Sequence, residues 1–296
     1  MESPKRWFHH HNSVAIVFFP VISHTVVMKK LFILFTIVLL VFSGCASNPL
    51  TGQRTMAFVD NRQLFPSSFA QYETFLQENT VISGTAEANL VSRVGEKLAE
   101  AAQKLLTAEG SPHYLDDYAW EYKLVRDNTV NAWCMPGGKI VVYSGIIPVT
   151  QTEEGLAVVL GHEISHALLN HGQQRMSASV LEELGAVGLS LMTANQSAES
   201  QALAMTAYGA GSSLFGTLPF SRKHESEADH YGLILMAIAG YNPDAAAPFW
   251  ERMAALGGGG TPEFLSTHPS DATRIRQIRG WVSEAKEKAA GFGVQF

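Results

Sequence analysis

Apolar residues recur at two different spacings along the chain, and the two spacings predict different elements. In residues 62–79 and 85–106 the apolar side chains return every three or four positions, which places them on one face of a helix. In residues 119–126 apolar and polar side chains largely alternate, which is the period of a half-buried strand. The pattern therefore predicts two long helices followed by a strand.

A turn sequence separates the next two extended segments. Pro136-Gly137-Gly138 lies between residues 131–135 and residues 139–144, and both flanking segments have strand character. Proline followed by glycine is typical of a tight turn, so the two segments are predicted to pair as antiparallel strands. The sequence therefore predicts a mainly α fold with a small antiparallel β-sheet, which is an α+β fold.

The second half of the chain is predicted to be helical. Thr152 offers a capping hydroxyl and two acidic residues follow it, so a helix is expected to begin there and to stop at Gly172. Further helices are expected over about residues 224–239 and 271–288. Residues 176–218 are apolar with few charges, and lid helices over a cleft explain this composition as well as ordinary core helices do.

The composition narrows the class of protein. The chain has 296 residues, with 21 basic and 27 acidic side chains and a net charge of −6. This acidic balance argues against a nucleic-acid partner, because a phosphate backbone requires a basic face. Charged residues make up 16% of the chain and apolar residues 46%, which excludes disorder as the main state. Two cysteines cannot build a disulfide scaffold, so a globular chain of enzyme size remains.

The N-terminus has the pattern of an export signal. Lys29-Lys30 precede residues 31–42, which are apolar except for one threonine, and Ser43-Gly44-Cys45 follows. An apolar run of that length is too short for a membrane span and is typical of a signal peptide. The small residues that end in cysteine resemble a bacterial lipobox. They predict that Cys45 is lipidated and anchors the protein on the periplasmic side of the cell envelope.

The residues around this signal set the expected domain organisation. Ala46 after the cysteine favours the outer membrane over the inner membrane. One long signal anchor over residues 14–42 is the alternative, although Pro20 and His24 interrupt it. We expect a leader over residues 1–45, an extended tether over residues 46–63 and one catalytic domain over residues 64–296.

The segment His162-Glu163-Ile164-Ser165-His166 lies within the predicted helix that begins at Thr152. Residues four positions apart share one face of a helix, so His162 and His166 can bind one metal ion. Two imidazole nitrogens at this spacing suit zinc, and Glu163 suits a general base that activates water. The alternative is a pair of core histidines, but chance rarely produces three fixed positions in a chain of this length.

A catalytic zinc ion needs a third protein ligand and an open fourth position. Glu225 and Asp229 are four residues apart, so one can bind zinc while the other accepts the N–H of a ligand histidine. On a continuous helix His171 would face away from the metal, which leaves it a structural role at the helix end. Glu227 is expected to be solvated, and His224 does not share the face of the two candidate carboxylates.

Four sequence blocks, in the same order, resemble those of a known family. The His-Glu-x-x-His motif at residues 162–166 is followed about sixty residues later by Glu-x-x-Ala-Asp at residues 225–229. Residues 131–142 resemble the family's strand along the active-site cleft, and residues 266–270 with Arg274 resemble its C-terminal signature. Over about residues 50–285 the chain is similar to the gluzincin family of the CAAX prenyl protease and HtpX peptidases. Within that family it resembles the periplasmic lipoprotein branch of BepA and LoiP.

This resemblance implies a zincin-type catalytic domain and a role for each matching residue. It implies that His162, His166 and Glu225 bind one zinc ion per chain. It implies that Glu163 activates water and that Asp229 supports a ligand histidine from behind.

The resemblance also implies roles for residues beyond the metal ligands. His268 and Arg274 would approach the metal from the far side, where their chemistry suits donors to an oxyanion. In relatives the histidine that matches His268 can instead occupy the open metal position and hold the enzyme latent, and both roles stay open here. The strand region that includes Asn131 and Gly138 would bind an extended substrate as an added strand.

The predicted function is a zinc-dependent endopeptidase that acts on misfolded or misassembled envelope proteins. Strand addition pairs backbones and ignores side chains, so unfolded chains are the expected substrates. One alternative is a chaperone-like or assembly-factor lipoprotein with a latent zinc site. Another is a zinc hydrolase of a non-peptide bond. The sequence does not indicate an oligomeric state.

Overall fold

The computed structural model describes residues 45–213, 216, 218–256, 262–268 and 272–296. The predicted leader lies outside these residues except for Cys45, whose backbone alone is described, and so do Pro269 and Ser270 of the C-terminal signature. Among the described residues no helix has the length and apolar character needed to cross a membrane.

Helices supply most of the secondary structure, and Thr85 and Thr152 cap two of them. Thr85 accepts a hydrogen bond from the N–H of Ala88, and Thr152 accepts one from the N–H of Gly155, so both predicted starts are confirmed. The helices are α1 (Asn61–Glu78), α2 (Ala86–Ala108), α3 (Ile147–Thr150), α4 (Glu153–Leu168), α5 (His171–Thr193), α6 (Ala198–Ser212), α7 (Leu218–Ile238), α8 (Ala246–Ala255), α9 (Glu263–Thr267) and α10 (Ala272–Ala290).

Two small sheets accompany the helices. One is a hairpin of β1 and β2, and the other has four strands in the order β3-β4-β6-β5. Their bounds are β1 (Cys45–Ser47), β2 (Arg54–Met56), β3 (Val81–Ile82), β4 (Glu121–Val125), β5 (Ala132–Met135) and β6 (Lys139–Tyr143).

The hairpin predicted around the proline–glycine turn is confirmed. Ala132 pairs with Val142 and β5 runs antiparallel to β6. Gly138 has a φ of 91°, a left-handed conformation that favours glycine, and a Cβ there would lie 2.6 Å from the Trp120 ring. The α+β class is therefore confirmed, with one difference. Strands β4 and β6 are parallel, so the four-stranded sheet is mixed and β5 forms one of its edges.

Helix α4 lies at the centre of the domain and crosses α7 closely. Every residue from Gly155 to Leu168 is buried. The crossing point has glycine on both helices, since a Cβ on Gly161 would lie 2.9 Å from the carbonyl oxygen of Gly232. Small residues let the two backbones approach, which brings the His-Glu-x-x-His motif of α4 against α7.

Residues 46–60, predicted to belong to an extended tether, are folded against the domain instead. Asn48 is buried, and its Nδ2 donates to the carbonyl oxygen of Leu168 at 2.8 Å. The Tyr231 hydroxyl donates to the carbonyl oxygen of Leu50 at 2.6 Å. The polar residues that suggested a free segment therefore serve as hydrogen-bonding groups, and the compact unit begins at Cys45.

Helices α5 and α6 form a two-helix arm, which we call the arm below. Helix α6 has no buried residue, and several large apolar side chains of the arm are exposed. The interpretation of this segment as ordinary core helices is therefore wrong. Helix α7 also begins earlier than predicted, at Leu218, because Pro219 in its first turn needs no hydrogen-bond acceptor there.

Candidate active site

Helix α4 presents two imidazole rings on one buried face. His162 and His166 are 1% and 5% exposed, and their Nε2 atoms are 3.1 Å apart. The four-residue spacing places the rings side by side, as the helical geometry predicts. Both rings point toward α7, where an acidic side chain meets them.

Glu225 of α7 reaches both histidines with one carboxylate. Its Oε2 lies 3.3 Å from His162 Nε2, and its Oε1 lies 3.3 Å from His166 Nε2. The structure therefore brings together the three residues that the sequence nominated as metal ligands.

A fourth ligand atom comes from His268, directly after α9. Its Nδ1 lies 3.0 Å from His162 Nε2 and 2.8 Å from Glu225 Oε2. Helix α9 is held in place by Asn131, whose Nδ2 donates to Glu263 Oε1 at 2.9 Å. His268 thus lies within the ligand cluster itself.

These four donors fit a zinc ion. One ligand atom from each of the four residues lies within 4.8 Å of the other three. Zinc bonds of about 2.0–2.1 Å in a tetrahedron place neighbouring ligand atoms about 3.3 Å apart, close to the spacing seen here. Imidazole and carboxylate are ligands that zinc accepts in catalytic sites.

Glu163 lies beside the cluster with one oxygen that lacks a hydrogen bond. The side chain is buried, and its Oε1 makes no hydrogen bond to any described residue. This oxygen lies 3.4 Å from His268 Nε2. A buried carboxylate oxygen in this condition requires an explanation, and a water molecule of a metal site provides one. The placement suits a general base.

The outer nitrogen of His162 is bound by Asp229. His162 Nδ1 lies 2.9 Å from Asp229 Oδ1, so the carboxylate accepts the N–H and leaves Nε2 to face the cluster. Asp229 is one helical turn after Glu225 on α7. The predicted supporting role of Asp229 agrees with this geometry.

Arg274 of α10 lies against Asp229 and beside the ligand Glu225, with its Nη2 3.7 Å from Glu225 Oε2. Its Nε and Nη2 donate to the two oxygens of Asp229 at 2.6 and 2.7 Å, and its Nη1 donates to the carbonyl oxygen of His268 at 3.0 Å. The guanidinium also lies 3.4 Å from the centroid of the Trp250 ring. Arg274 therefore contacts both Asp229 and His268 beside the ligand cluster. The role of oxyanion donor, which the resemblance implies, stays a prediction.

His171 is the main correction to the site. Helix α4 ends at Leu168, and Asn170 adopts a left-handed conformation with φ 56° that turns the chain into α5. His171 is therefore not on the helix of the metal ligands, as the prediction assumed. Its Nδ1 lies 2.8 Å from His166 Nδ1, so it supports the outer side of that ligand.

Glu227 and His224 of α7 contact the far side of His171. Glu227, predicted to be solvated, lies with its Oε2 3.3 Å from His171 Nε2. The His224 ring stacks on His171 at a centroid distance of 4.0 Å, and its Nε2 is 3.2 Å from Gln174 Oε1. His224 stays outside the ligand cluster, as expected.

Burial and charge set the protonation of the cluster. Burial opposes a charge on His162, yet hydrogen bonds to Asp229 and Glu225 raise its pKa to about 9. Burial lowers the pKa of His166 well below its usual value, which favours the neutral ligand form. Burial also opposes the charge on Glu225, but the surrounding histidines hold its pKa far below the usual range. A metal ion competes with any proton on these nitrogens, so metal binding releases protons.

The predicted substrate strand lies at a sheet edge near the cluster. Strand β5 follows Asn131, and Gly138 lies in the turn that leads to β6. Cys134 and Pro136 line a small cavity of about 40 Å³ together with His166. Burial raises the pKa of the Cys134 thiol well above its usual value, so this cysteine is not an activated nucleophile.

Sequence reasoning missed the outer residues that position the site. The sequence did not indicate the contacts made by His171, Glu227 and Glu263. Each of these contacts depends on how the chain turns between helices. Asn170 offered a signal, since asparagine adopts the left-handed conformation more readily than most residues. If the first of the two helices had been predicted to end at Asn170, His171 would not have been placed on the same helix as His162 and His166.

Comparison with known proteins agrees with the site. The model of peptidase family M48 matches residues 88–282. The metalloprotease YcaL of Escherichia coli is 31% identical over 207 residues, covering 69% of this chain and 76% of YcaL. The putative beta-barrel assembly-enhancing protease of Vibrio cholerae is 28% identical over 214 residues, covering 70% of this chain and 42% of that protein.

A mitochondrial relative is also similar. The mitochondrial metalloendopeptidase OMA1 of Schizosaccharomyces pombe is 40% identical over 181 residues, covering 59% of this chain and 50% of OMA1. The chain thus spans about half the length of this relative. The family match covers well over half of the chain and includes all but one described strand of the four-stranded sheet, both ligand helices and His268. The chain belongs to peptidase family M48.

Proposed function

We propose that this protein is a zinc-dependent endopeptidase of the bacterial cell envelope that hydrolyses misfolded or misassembled envelope proteins. The observation that carries the proposal is the convergence of His162, His166 and Glu225 beside Glu163, whose buried Oε1 has no hydrogen bond among the described residues. This combination supplies three metal ligands and a base next to them, which is the requirement of a hydrolytic zinc site.

The protein side chains divide the chemistry among them. His162, His166 and Glu225 would hold zinc, which when bound acidifies water and polarises a carbonyl group. Glu163 accepts the proton of the attacking water and delivers it to the leaving amine. Asp229 and His171 keep the two ligand histidines oriented through their outer nitrogens.

Strand β5 supports an extended polypeptide as the substrate. It forms an edge of the sheet, and Cys134 at its centre and His166 line one cavity. An edge strand binds a peptide through backbone hydrogen bonds, which favours unfolded chains over a fixed sequence motif. This preference suits removal of misfolded proteins, and the name of the Vibrio cholerae relative refers to beta-barrel assembly.

His268 makes the described arrangement a resting form. Its Nδ1 lies within 3.0 Å of a ligand nitrogen and 2.8 Å of a ligand oxygen, the place that a substrate or water needs. We infer that His268 leaves the cluster before hydrolysis. The short helix α9 is the element that would carry this movement, since it ends one residue before His268.

The location rests on the N-terminal pattern. The apolar residues 31–42 followed by Cys45 support export and lipid anchoring on the periplasmic side, with the outer membrane favoured by Ala46. Mass spectrometry of the mature N-terminus tests this part. A Cys45 that carries diacylglycerol is expected, and a Cys45 without it or a mature N-terminus upstream of Cys45 would contradict the proposed lipid anchor.

Substitution Glu163→Gln tests the chemistry. The change removes the base but no metal ligand, so hydrolysis of unfolded casein should fall by a factor of about 10² to 10⁴. Zinc content, measured by elemental analysis, should stay at one ion per chain. Glu154→Gln on the same helix is the matched control and should leave hydrolysis unchanged. Undiminished hydrolysis by the Glu163→Gln protein would rule out the proposed base.

The second candidate function is a chaperone-like or assembly-factor lipoprotein with a latent zinc site. The position of His268 within the ligand cluster is the observation that favours it. His268→Ala distinguishes the two functions. If hydrolysis increases after this substitution, the site is a latched peptidase. If neither protein cleaves casein while both bind zinc and unfolded clients, the binding function is supported.

A further inference from the structure

The arm exposes a continuous stripe of large apolar side chains along α5. Residues 15 positions apart on a helix are separated by about 22 Å, so the stripe runs for most of α5. At 100° per residue its members fall within a sector of about 80°, which makes them one face of the helix. Their exposed fractions are 43% for Met176, 37% for Val180, 62% for Leu184, 57% for Val187 and 74% for Leu191.

The surroundings of this stripe are unusually poor in charge. Residues 176–221 include three charged side chains in 46 positions, Glu182, Glu183 and Glu199. At the chain average of 16% charged residues, about seven would be expected. Helix α6 adds an exposed Leu203 on the same arm. An exposed apolar surface of this kind marks a binding surface, because solvated helices normally present charged groups.

Basic residues lie at the base of the arm, where α5 begins and where the chain leaves the arm for α7. Arg175 precedes the stripe on α5, and Arg222 and Lys223 follow the charge-poor segment on α7. All three are exposed. Basic residues beside exposed aliphatic residues complement the anionic headgroups and the acyl chains of a lipid bilayer.

The base of the arm also lies next to the point where the N-terminal segment joins the domain. Met56 of β2 pairs with Cys45 of β1. Met56 and the arm residues Ala178, Leu181 and Tyr208 line a common cavity of about 460 Å³. A lipidated Cys45 and an uncleaved apolar leader would both bring a membrane to this point of the molecule.

We propose that the apolar stripe of α5 binds the surface of a lipid bilayer and lies in the boundary between headgroups and acyl chains. The stripe is a convex ridge on one helix, and a fluid bilayer accepts such a ridge without a matching groove. Glu182 and Glu183 lie midway along α5 and Gln196 follows its end, so the helix binds parallel to the surface and does not span the bilayer. The arm thereby adds a second membrane contact to the N-terminal anchor.

A fluorescent label on the stripe tests this proposal in the full-length protein. Val187→Cys, made together with Cys134→Ser, is labelled with the environment-sensitive dye NBD and reconstituted into vesicles that contain anionic phospholipid. Lys104→Cys on α2 is the matched control, because it is exposed on another helix. We expect phospholipid with a nitroxide on its acyl chain to quench the dye at position 187 at least twofold more than at position 104.

The outcomes separate the bilayer from other occupants of the stripe. Equal, weak quenching at both positions would overturn the proposal. The proposal would also be overturned if the dye at position 187 were shielded only in the presence of a second copy of the chain, which disulfide-linked dimers of the unlabelled protein would reveal. Shielding that requires an added unfolded protein would overturn it as well. If Val187→Cys fails to fold, Leu191→Cys reports on the same face of α5. Urea denaturation of each labelled variant checks that the domain is intact.

Discussion

The crossing of α4 and α7 and the arm differ in almost every physical property, although one chain segment leads directly from α4 into the arm. At the crossing, all residues from Gly155 to Leu168 are buried. The two ligand histidines there make polar contacts with Asp229 and His171. In the arm, α6 has no buried residue and α5 exposes Leu184 and Leu191. Both regions are rich in apolar residues. Apolar composition alone therefore does not distinguish a buried catalytic helix from an exposed binding surface.

The contrast also separates two uses of polar groups. At the crossing, the Nδ1 atoms of His162 and His166 contact Asp229 and His171. These contacts fix the orientation of both rings while their Nε2 atoms face the ligand cluster. In the arm, side-chain hydrogen bonds hold α6 on α5, as where the Tyr208 hydroxyl donates to the carbonyl oxygen of Glu182. The site is fixed by many contacts, whereas few contacts hold the arm.

Removal of Asp229 should produce the largest loss of stability. Asp229→Ala leaves the guanidinium of Arg274 buried without its carboxylate, and breaking a buried ion pair in this way costs about 3–5 kcal/mol. Urea denaturation of the zinc-loaded protein measures the loss. Asp229→Asn, which keeps the shape and one acceptor oxygen, should lose less. A loss below about 1 kcal/mol for the alanine variant would show that the crossing does not depend on this pair.

A pair of leucine substitutions tests the packing contrast itself. Leu160 of α4 is fully buried, so Leu160→Ala should lower the free energy of unfolding by about 2–5 kcal/mol. Leu184 of α5 is 62% exposed, so Leu184→Ala should change it by less than about 0.5 kcal/mol in the absence of vesicles. Equal losses at the two positions would mean that the arm is packed in solution.

Substitution of Glu227 tests the outer support of His166. Glu227→Gln weakens the contact to His171 Nε2 and loosens the orientation of His171 against His166. Loss of a direct outer partner lowers metal affinity about 10- to 100-fold. Because Glu227 acts one contact further out, through His171, we expect a loss of up to about 10-fold, which competition with a chelator measures. Glu183→Gln on the arm is the matched control and should leave zinc affinity unchanged. An unaltered affinity in the Glu227→Gln protein would remove Glu227 from this role.

The smallest expected effect is a dependence of stability on pH at the start of α4. A hydrogen bond from Arg93 lowers the pKa of Glu153, which is half-buried. Because the pKa in the folded state is below the unfolded value of about 4.3, the pair stabilises the protein above that pH. The contribution is lost as the pH falls through the lowered pKa. Relative to Glu153→Gln, the wild-type protein should gain about 0.2–1 kcal/mol at neutral pH and nothing in acid. A gain that persists in acid would contradict this.

Much of the candidate site was predictable because helical spacing determines it. His162 and His166 are separated by four residues within one continuous helix, and Glu225 and Asp229 repeat that spacing on another. The helix period alone predicts that each of these pairs shares one helix face. The side of α7 that meets α4 was not fixed by this period, but only one orientation lets both carboxylates reach the histidines.

The remaining parts of the site could not be predicted because they depend on turns and distant packing. Asn170 reverses the chain and brings His171 to His166, which no continuous helical wheel shows. Arg274 faces Asp229 because Trp250 packs against its guanidinium, and those residues are far apart in sequence. The parallel pairing of β4 with β6 depends likewise on the intervening β5 hairpin.

Zinc-edge X-ray absorption spectroscopy of the purified protein measures the ligands of the bound ion and so tests whether His162, His166, Glu225 and His268 hold it. We expect one zinc ion per chain with imidazole nitrogen and carboxylate oxygen ligands at about 2.0–2.2 Å, and one fewer nitrogen after His268→Ala. A zinc ion bound through sulfur, or an unchanged spectrum after Glu225→Ala, would contradict this ligand set.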